Sequence, residues 1–177
     1  VWASEILGEP VRGRVAGTDL MLRLIKRAEE LGLTVGMLGA RDGVAKEAEE
    51  KLLDQYNNLK IMTATPGNPN ESADNDMRKV LQKAGRIDLL FVAYGHPKQE
   101  KWIARNIKHI NVGVGVGVGG SFDYIVGVQR RAPTWLRKIG LEWLWRLITQ
   151  PWRVGRMLAL PKFAILVWLQ KFNIIHS

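Results

Sequence analysis

Cysteine is absent from the 177 residues. Its absence excludes disulfides and thiolate metal sites and fits a reducing compartment. Histidine is scarce, with three copies. Of these, His96 in a polar turn offers a general base, but a lone turn histidine is thin evidence for one; His109 and His176 look incidental. Long apolar runs are also missing. The longest strongly apolar stretch, Met157 to Leu169, carries Pro161 and Lys162 and has about 13 residues, against the roughly 20 needed to span a bilayer. Acidic residues are outnumbered, 17 against 26 basic, which leaves a net charge of +9.

That charge is unevenly placed. From Gln129 onward nine Lys or Arg face one acidic residue, Glu142, so the tail carries +8 of the +9. Five of the seven tryptophans (Trp135, Trp143, Trp145, Trp152, Trp168) lie there too. A near-neutral body, residues 1–128, is thus followed by a basic, Trp-rich appendage, residues 129–177. Such a segment fits an anionic partner. Tryptophan beside Arg and Lys on short helices favours the membrane interface over nucleic acid, for which no recognition motif is present. A helical extension packed on the body, or a homo-oligomer contact, is the competing reading.

The body alternates strands and helices with short connections, which predicts an α/β fold with a parallel sheet covered by helices. Thr18 suits an N-cap, and Leu20, Leu24, Ala28 and Leu31 suit a helical stripe closed by Gly32. Strands are expected at Leu33–Leu38, Leu59–Ala64, Ile87–Ala93 and Asn111–Val118, and helices at Val44–Gln55, Ser72–Ala84 and Pro97–Asn106. In the tail a helix is expected from Pro133, interrupted at Gly140 and punctuated by Pro151 and Pro161. The organising stretch is Phe91 to Trp102: a buried strand end, a turn at Gly95, Pro97 at the first helical position, then Lys98, Gln99 and Glu100 in the first turn. In open α/β sheets ligands bind at such strand ends.

Two formal motifs are weak. Gly115-Val116-Gly117-Val118-Gly119-Gly120 matches G-x-G-x-x-G, but it follows the last strand rather than the first, and Ser121 to Tyr124 does not read as a helix start. NAD binding is therefore disfavoured. The alternating glycines leave one strand face bare for close approach. Asp74-Asn75-Asp76 matches a metal-holding D-x-D, yet it opens a helix where acidic residues serve capping and the dipole. In the tail, Arg146, Arg153 and Arg156 recur at spacings that put them along one side of a helix. Arginine forks suit a diphosphate and can stabilise a negatively charged leaving group without a metal.

Several matches then coincide in order: Arg14-Val15-Ala16-Gly17-Thr18-Asp19-Leu20, Pro97-Lys98-Gln99-Glu100 with Trp102-Ile103-Ala104, Gly117-Val118-Gly119-Gly120-Ser121-Phe122-Asp123, and Arg131-Ala132-Pro133 with Leu141-Glu142-Trp143. Together they resemble the WecG/TagA/CpsF family of bacterial glycosyltransferases from Val1 to about Arg156. The resemblance implies a Rossmann-like, inverting, metal-independent transferase with no cofactor. Its usual donor is UDP-N-acetylmannosamine, and its usual acceptor is N-acetylglucosamine on a polyprenyl diphosphate at the cytoplasmic face of the plasma membrane. The product serves wall teichoic acid or surface polysaccharide. UDP-glucose is an alternative donor in some relatives, and a non-catalytic nucleotide- or lipid-binding module is the alternative class.

Carried onto this sequence, the resemblance makes Arg14 a lining residue of the active-site pocket. Gly95, Gln99, Gly119 and Asp123 would bind the donor, with Gln99 and Asp123 holding the uridine nucleotide. Arg146, Arg153 and Arg156 would close over the diphosphate from the appendage. The first residue is Val, not Met, and the family's proposed catalytic Asp is expected upstream of it. The 177-residue chain is therefore expected to be impaired by itself.

Overall fold

The computed structural model describes residues 2–11, 15–128, 132–133, 135–136, 141–149 and 159–172. They fall into two compact units: Val15–Arg130, and Val1–Arg14 with Arg131–Ser177. The sequence placed one boundary near residue 128, whereas this division also groups the first 14 residues with the C-terminal segment.

The unit Val15–Arg130 is built on four parallel strands, β1 (Thr34–Gly39), β2 (Lys60–Thr65), β3 (Ile87–Ala93) and β4 (Val112–Gly117), in the order β2-β1-β3-β4. Each expected strand is present within a residue or so of its expected ends. β1 is buried almost throughout, as a central strand covered on both faces must be. Side chains alternate between two cores. Val35, Met37 and Phe91 pack with Met21 and Ile25 of α2 (Gly17–Leu31), Ala45, Ala48 and Leu52 of α3 (Val44–Gln55), and Phe122 of α6 (Ser121–Val126). Leu38, Leu90 and Val92 pack on the other side with Leu81 of α4 (Asp74–Lys83) and Trp102 of α5 (Lys98–Asn106). Trp102, Phe91 and Phe122 are completely buried, each worth roughly 2–3 kcal/mol of apolar burial.

Several local expectations shift. The buried stripe of α2 is Met21, Ile25 and Ala28, while Leu20 and Leu31 are exposed. The leucine pattern tracked an edge of the apolar face rather than its centre. Thr18 is not a cap: the helix begins at Gly17 and Ala16 holds the cap position. Pro97 sits one residue before α5, in a cis peptide with His96. Ser121 does open a short helix, α6, because Phe122 and Val126 reach the core one turn apart. The bare glycine face of β4 is filled from within: Ile103 and Ile107 occupy the space beside Gly115, and the Gln99 side chain the space beside Gly117.

The other unit contains α1 (Trp2–Ile6), α7 (Glu142–Thr149) and α8 (Ala159–Lys171), with α1 lying against α8. Pro161 does not break α8. It occupies the first turn, where its missing N–H has no partner to lose. Val167 is buried, whereas Phe163, Ile165, Leu166, Trp168 and Phe172 are exposed, the last two stacked at 5.9 Å. Among the described residues no helix is long and apolar enough to cross a membrane. Of the helical stretch expected from Pro133, Trp135–Leu136 and α7 are helical, while Gly140 and Pro151 lie outside the described residues.

Candidate active site at the strand ends

The strand order places β1 and β3 side by side while the chain leaves them in opposite directions, toward α3 and α5. A crevice opens at such a reversal, outside the carboxyl ends of the strands. A cavity of about 320 Å³ lies there, lined by Ala40 and Arg41 after β1, Pro66, Gly67 and Pro69 after β2, Ala93, Tyr94 and Lys98 around the β3–α5 turn, and Asp123 on α6. The connections after β1, β2 and β3 and the helix after β4 all contribute.

The floor is rigid. Gly39 has φ +112°, and a Cβ there would lie 2.7 Å from the carbonyl carbon of Ala93, so only glycine permits β1 and β3 to approach this closely. The next residue, Ala40, is held at φ +65° and donates its N–H to the Ala93 carbonyl at 3.1 Å. Such left-handed backbone at a non-glycine residue persists only where its surroundings fix it, and it clusters at functional sites. Gly67 (φ +57°) packs over the Tyr94 hydroxyl, Leu38 and Met77. Among the described residues that hydroxyl is buried with no partner in hydrogen-bond geometry; burial pushes its pKa up, the nearby Asp74 charge adds to the rise, and the neighbouring Asn68 backbone offsets a little of it.

Gln99, Gly95 and Gly119, three residues assigned to donor binding, form one internal brace. Gln99 is buried, and its side-chain oxygen accepts from the Gly95 N–H at 3.2 Å and the Gly119 N–H at 3.0 Å. Its amide nitrogen donates to Glu100 at 2.9 Å. The β3–α5 and β4–α6 turns are thereby tied together at the cavity's edge. Ser121 extends the tie: its Oγ donates to the Val118 carbonyl at 2.6 Å and accepts from Thr18 Oγ1 at 3.0 Å.

Asp123 reaches the cavity itself. Its Oδ1 accepts from Arg41 Nη2 at 3.3 Å, with the aspartate side chain 14% exposed and the arginine 71%. A single long contact of so exposed a cation is worth less than about 1 kcal/mol. Arg41 and Lys98 give the rim two cations beside this one carboxylate. Neither cation was assigned a binding role from sequence, although both follow directly from the turns after β1 and β3.

The loop after β2 is anchored from behind. Arg105 on α5 donates to Asp74 through Nε at 2.9 Å and Nη2 at 3.3 Å, and Nη2 also reaches the Pro69 carbonyl at 3.0 Å. Burial raises the Asp74 pKa, but the bonds from Arg105 and Asn106 and the Arg105 charge outweigh it and hold the carboxyl below its ordinary value. Asp76 is exposed and pairs with Lys79 at 3.6 Å. The D-x-D aspartates thus serve a tie to α5 and a surface pair; both stand in the first turn of α4, where the dipole favours them, but neither caps it, since Ala73 holds the cap position with no side-chain bond. His96 is exposed and lies 3.4 Å from Glu100. Arg14, Arg153 and Arg156 lie outside the described residues; the backbone of Arg146 belongs to α7, and its side chain is outside the description.

A four-stranded parallel sheet flanked by helices, with a cavity at the strand reversal, defines an α/β, Rossmann-like class. Residues 1–176 match the glycosyl transferase WecG/TagA/CpsF family, and the chain belongs to that family. Relatives carry the name N-acetylglucosaminyldiphosphoundecaprenol N-acetyl-beta-D-mannosaminyltransferase. The one from Bacillus subtilis (strain 168) is 35% identical over 176 residues, covering 98% of this chain and 66% of the relative. That from Bacillus spizizenii (strain ATCC 23059 / NRRL B-14472 / W23) is 35% identical over 169 residues, covering 94% and 64%. That from Staphylococcus aureus (strain NCTC 8325 / PS 47) is 33% identical over 163 residues, covering 92% and 63%. The chain spans just under two thirds of the length of these relatives.

Proposed function

We propose that the chain carries the donor site of an inverting, metal-independent glycosyltransferase. The transferase moves N-acetylmannosamine from UDP-N-acetylmannosamine to N-acetylglucosamine on a polyprenyl diphosphate, for teichoic acid or surface polysaccharide. The observation that supports this most is the cavity at the strand reversal, with Asp123 and the cations Arg41 and Lys98 on its rim, in a chain that belongs to this family. The relatives' names favour N-acetylmannosamine over glucose as the transferred sugar.

In this reading the acceptor hydroxyl attacks the anomeric carbon as the bond to the UDP oxygen breaks. A carboxylate upstream of Val1 takes the hydroxyl proton. Arg14, Arg146, Arg153 and Arg156 stabilise the charge that collects on the departing diphosphate. Gln99 acts by holding the Gly95 and Gly119 turns in place, and Asp123 accepts hydrogen bonds from the uridine. The exposed aromatic and aliphatic side chains of α8 and the basic residues of the tail rest on the anionic cytoplasmic face of the membrane, where the lipid acceptor is anchored.

The test is sugar transfer to a synthetic polyprenyl-diphosphate N-acetylglucosamine, with UDP-N-acetylmannosamine and UDP-glucose offered separately. The 177-residue chain is run beside a version bearing the upstream segment. Transfer of N-acetylmannosamine by the longer version, with little by the shorter, is expected. Transfer from UDP-glucose alone would overturn the donor assignment. Vigorous turnover by the shorter chain would overturn the upstream base.

A further inference from the structure

We propose that Arg41 is an exchangeable partner. It pairs with Asp123 in the unliganded protein and moves to the diphosphate when a nucleoside diphosphate binds, so that the carboxylate is released to the nucleoside. The inference rests on the reading of the cavity as a nucleotide-sugar site.

The root of Arg41 is fixed and its tip is not. Gly39 and Ala40 are locked against Ala93 by close backbone approach and by the Ala40 N–H bond to the Ala93 carbonyl. The change is thus confined to the side chain. The guanidinium has five N–H donors and, among the described residues, spends one of them, on Asp123 at 3.3 Å. A diphosphate offers parallel acceptors with full charge, which an arginine fork meets far better than one long contact to one oxygen.

Asp123 makes the exchange useful. It is largely buried on α6 and lines the same cavity as Arg41. An ionised carboxylate only accepts hydrogen bonds, so after release it requires donors, and ribose hydroxyls or a base N–H supply them. Before release its charge would repel an incoming diphosphate, and pairing with Arg41 masks that charge during approach. The pair therefore matches a ligand with two ends, an anionic one for Arg41 and a donating one for Asp123. A nucleoside without phosphates has nothing to draw Arg41 away.

Calorimetric titration of the 177-residue chain with UDP and with uridine tests this, using wild type, Arg41→Ala and Asp123→Asn. Arg41→Ala should weaken UDP by about tenfold, the effect of losing one charge-assisted contact, and leave uridine unchanged or slightly tighter. Asp123→Asn should weaken UDP and leave uridine, which does not release the carboxylate, nearly unchanged. Equal weakening of UDP and uridine by Arg41→Ala, or no change for UDP, would overturn the exchange. Failure of the wild type to bind UDP at all is a different result, and it would overturn the nucleotide reading of the cavity itself.

Discussion

The two ends of the same parallel sheet treat a carboxylate in opposite ways. At the amino end, Asp88 of β3 is well supplied with donors. The Thr34 N–H and hydroxyl donate to its Oδ2, each at 2.9 Å, and Arg86 Nε donates to Oδ1 at 2.9 Å. These bonds, the Thr34 backbone bond first, pull its pKa down to about 2. At the carboxyl end, Asp123 has, among the described residues, one long side-chain contact, to an arginine that is mostly in solvent. The first arrangement joins β1 to β3 and commits most of the carboxylate's acceptor capacity within the fold. The second leaves acceptor capacity pointed at a cavity. Two carboxylates of one chemical type thus differ in how many donors the fold has already given them, and the second keeps acceptor capacity in reserve.

Three substitutions probe the contrast, in falling order of effect. The largest lies in the floor beneath the carboxyl end. Gly39→Ala forces a Cβ onto the Ala93 backbone at a φ that L-residues rarely adopt, so a loss of roughly 3 kcal/mol or more in urea unfolding is expected. Asp88→Asn comes next. Its folded pKa of about 2 lies below the ordinary value near 3.9, so the carboxylate's contribution is fully present above about pH 4 and is lost as pH falls toward 2. The denaturation midpoint of Asp88→Asn should fall clearly below wild type at pH 7, and the two should converge near pH 2. Asp123→Asn should leave the midpoint unchanged at both pH values. A stability loss there equal to that of Asp88→Asn would erase the distinction between the ends.

Much of the body was legible in the sequence because its signals are local. Ile87–Ala93 is a continuous apolar run, and Val44–Gln55 has helical periodicity bounded by Gly43 and Tyr56. The strand-end turn at Gly95 was legible too, since glycine before proline and a polar first turn mark it. What stayed hidden depends on partners distant in sequence. The Gln99 brace joins Gly95 to Gly119, and nothing in Pro97-Lys98-Gln99-Glu100 says that the amide turns inward. Ser121 looked like a poor helix start because its support comes from Val118, Thr18 and the core around Phe122. Arg41 was passed over for the same reason. It sits 82 residues from Asp123 in sequence, and only the strand order brings them together.

The cavity at the carboxyl ends of the strands is proposed to receive the uridine diphosphate of the donor. Amide hydrogen exchange on the 177-residue chain, with and without UDP, addresses it directly. UDP should slow exchange in residues 40–43, 66–70, 94–98 and 119–123, the connections that surround the cavity, while the Thr34–Asp88 end of the sheet stays unchanged. Slowing confined to other segments, or no slowing at saturating UDP, would mean that UDP does not occupy this cavity.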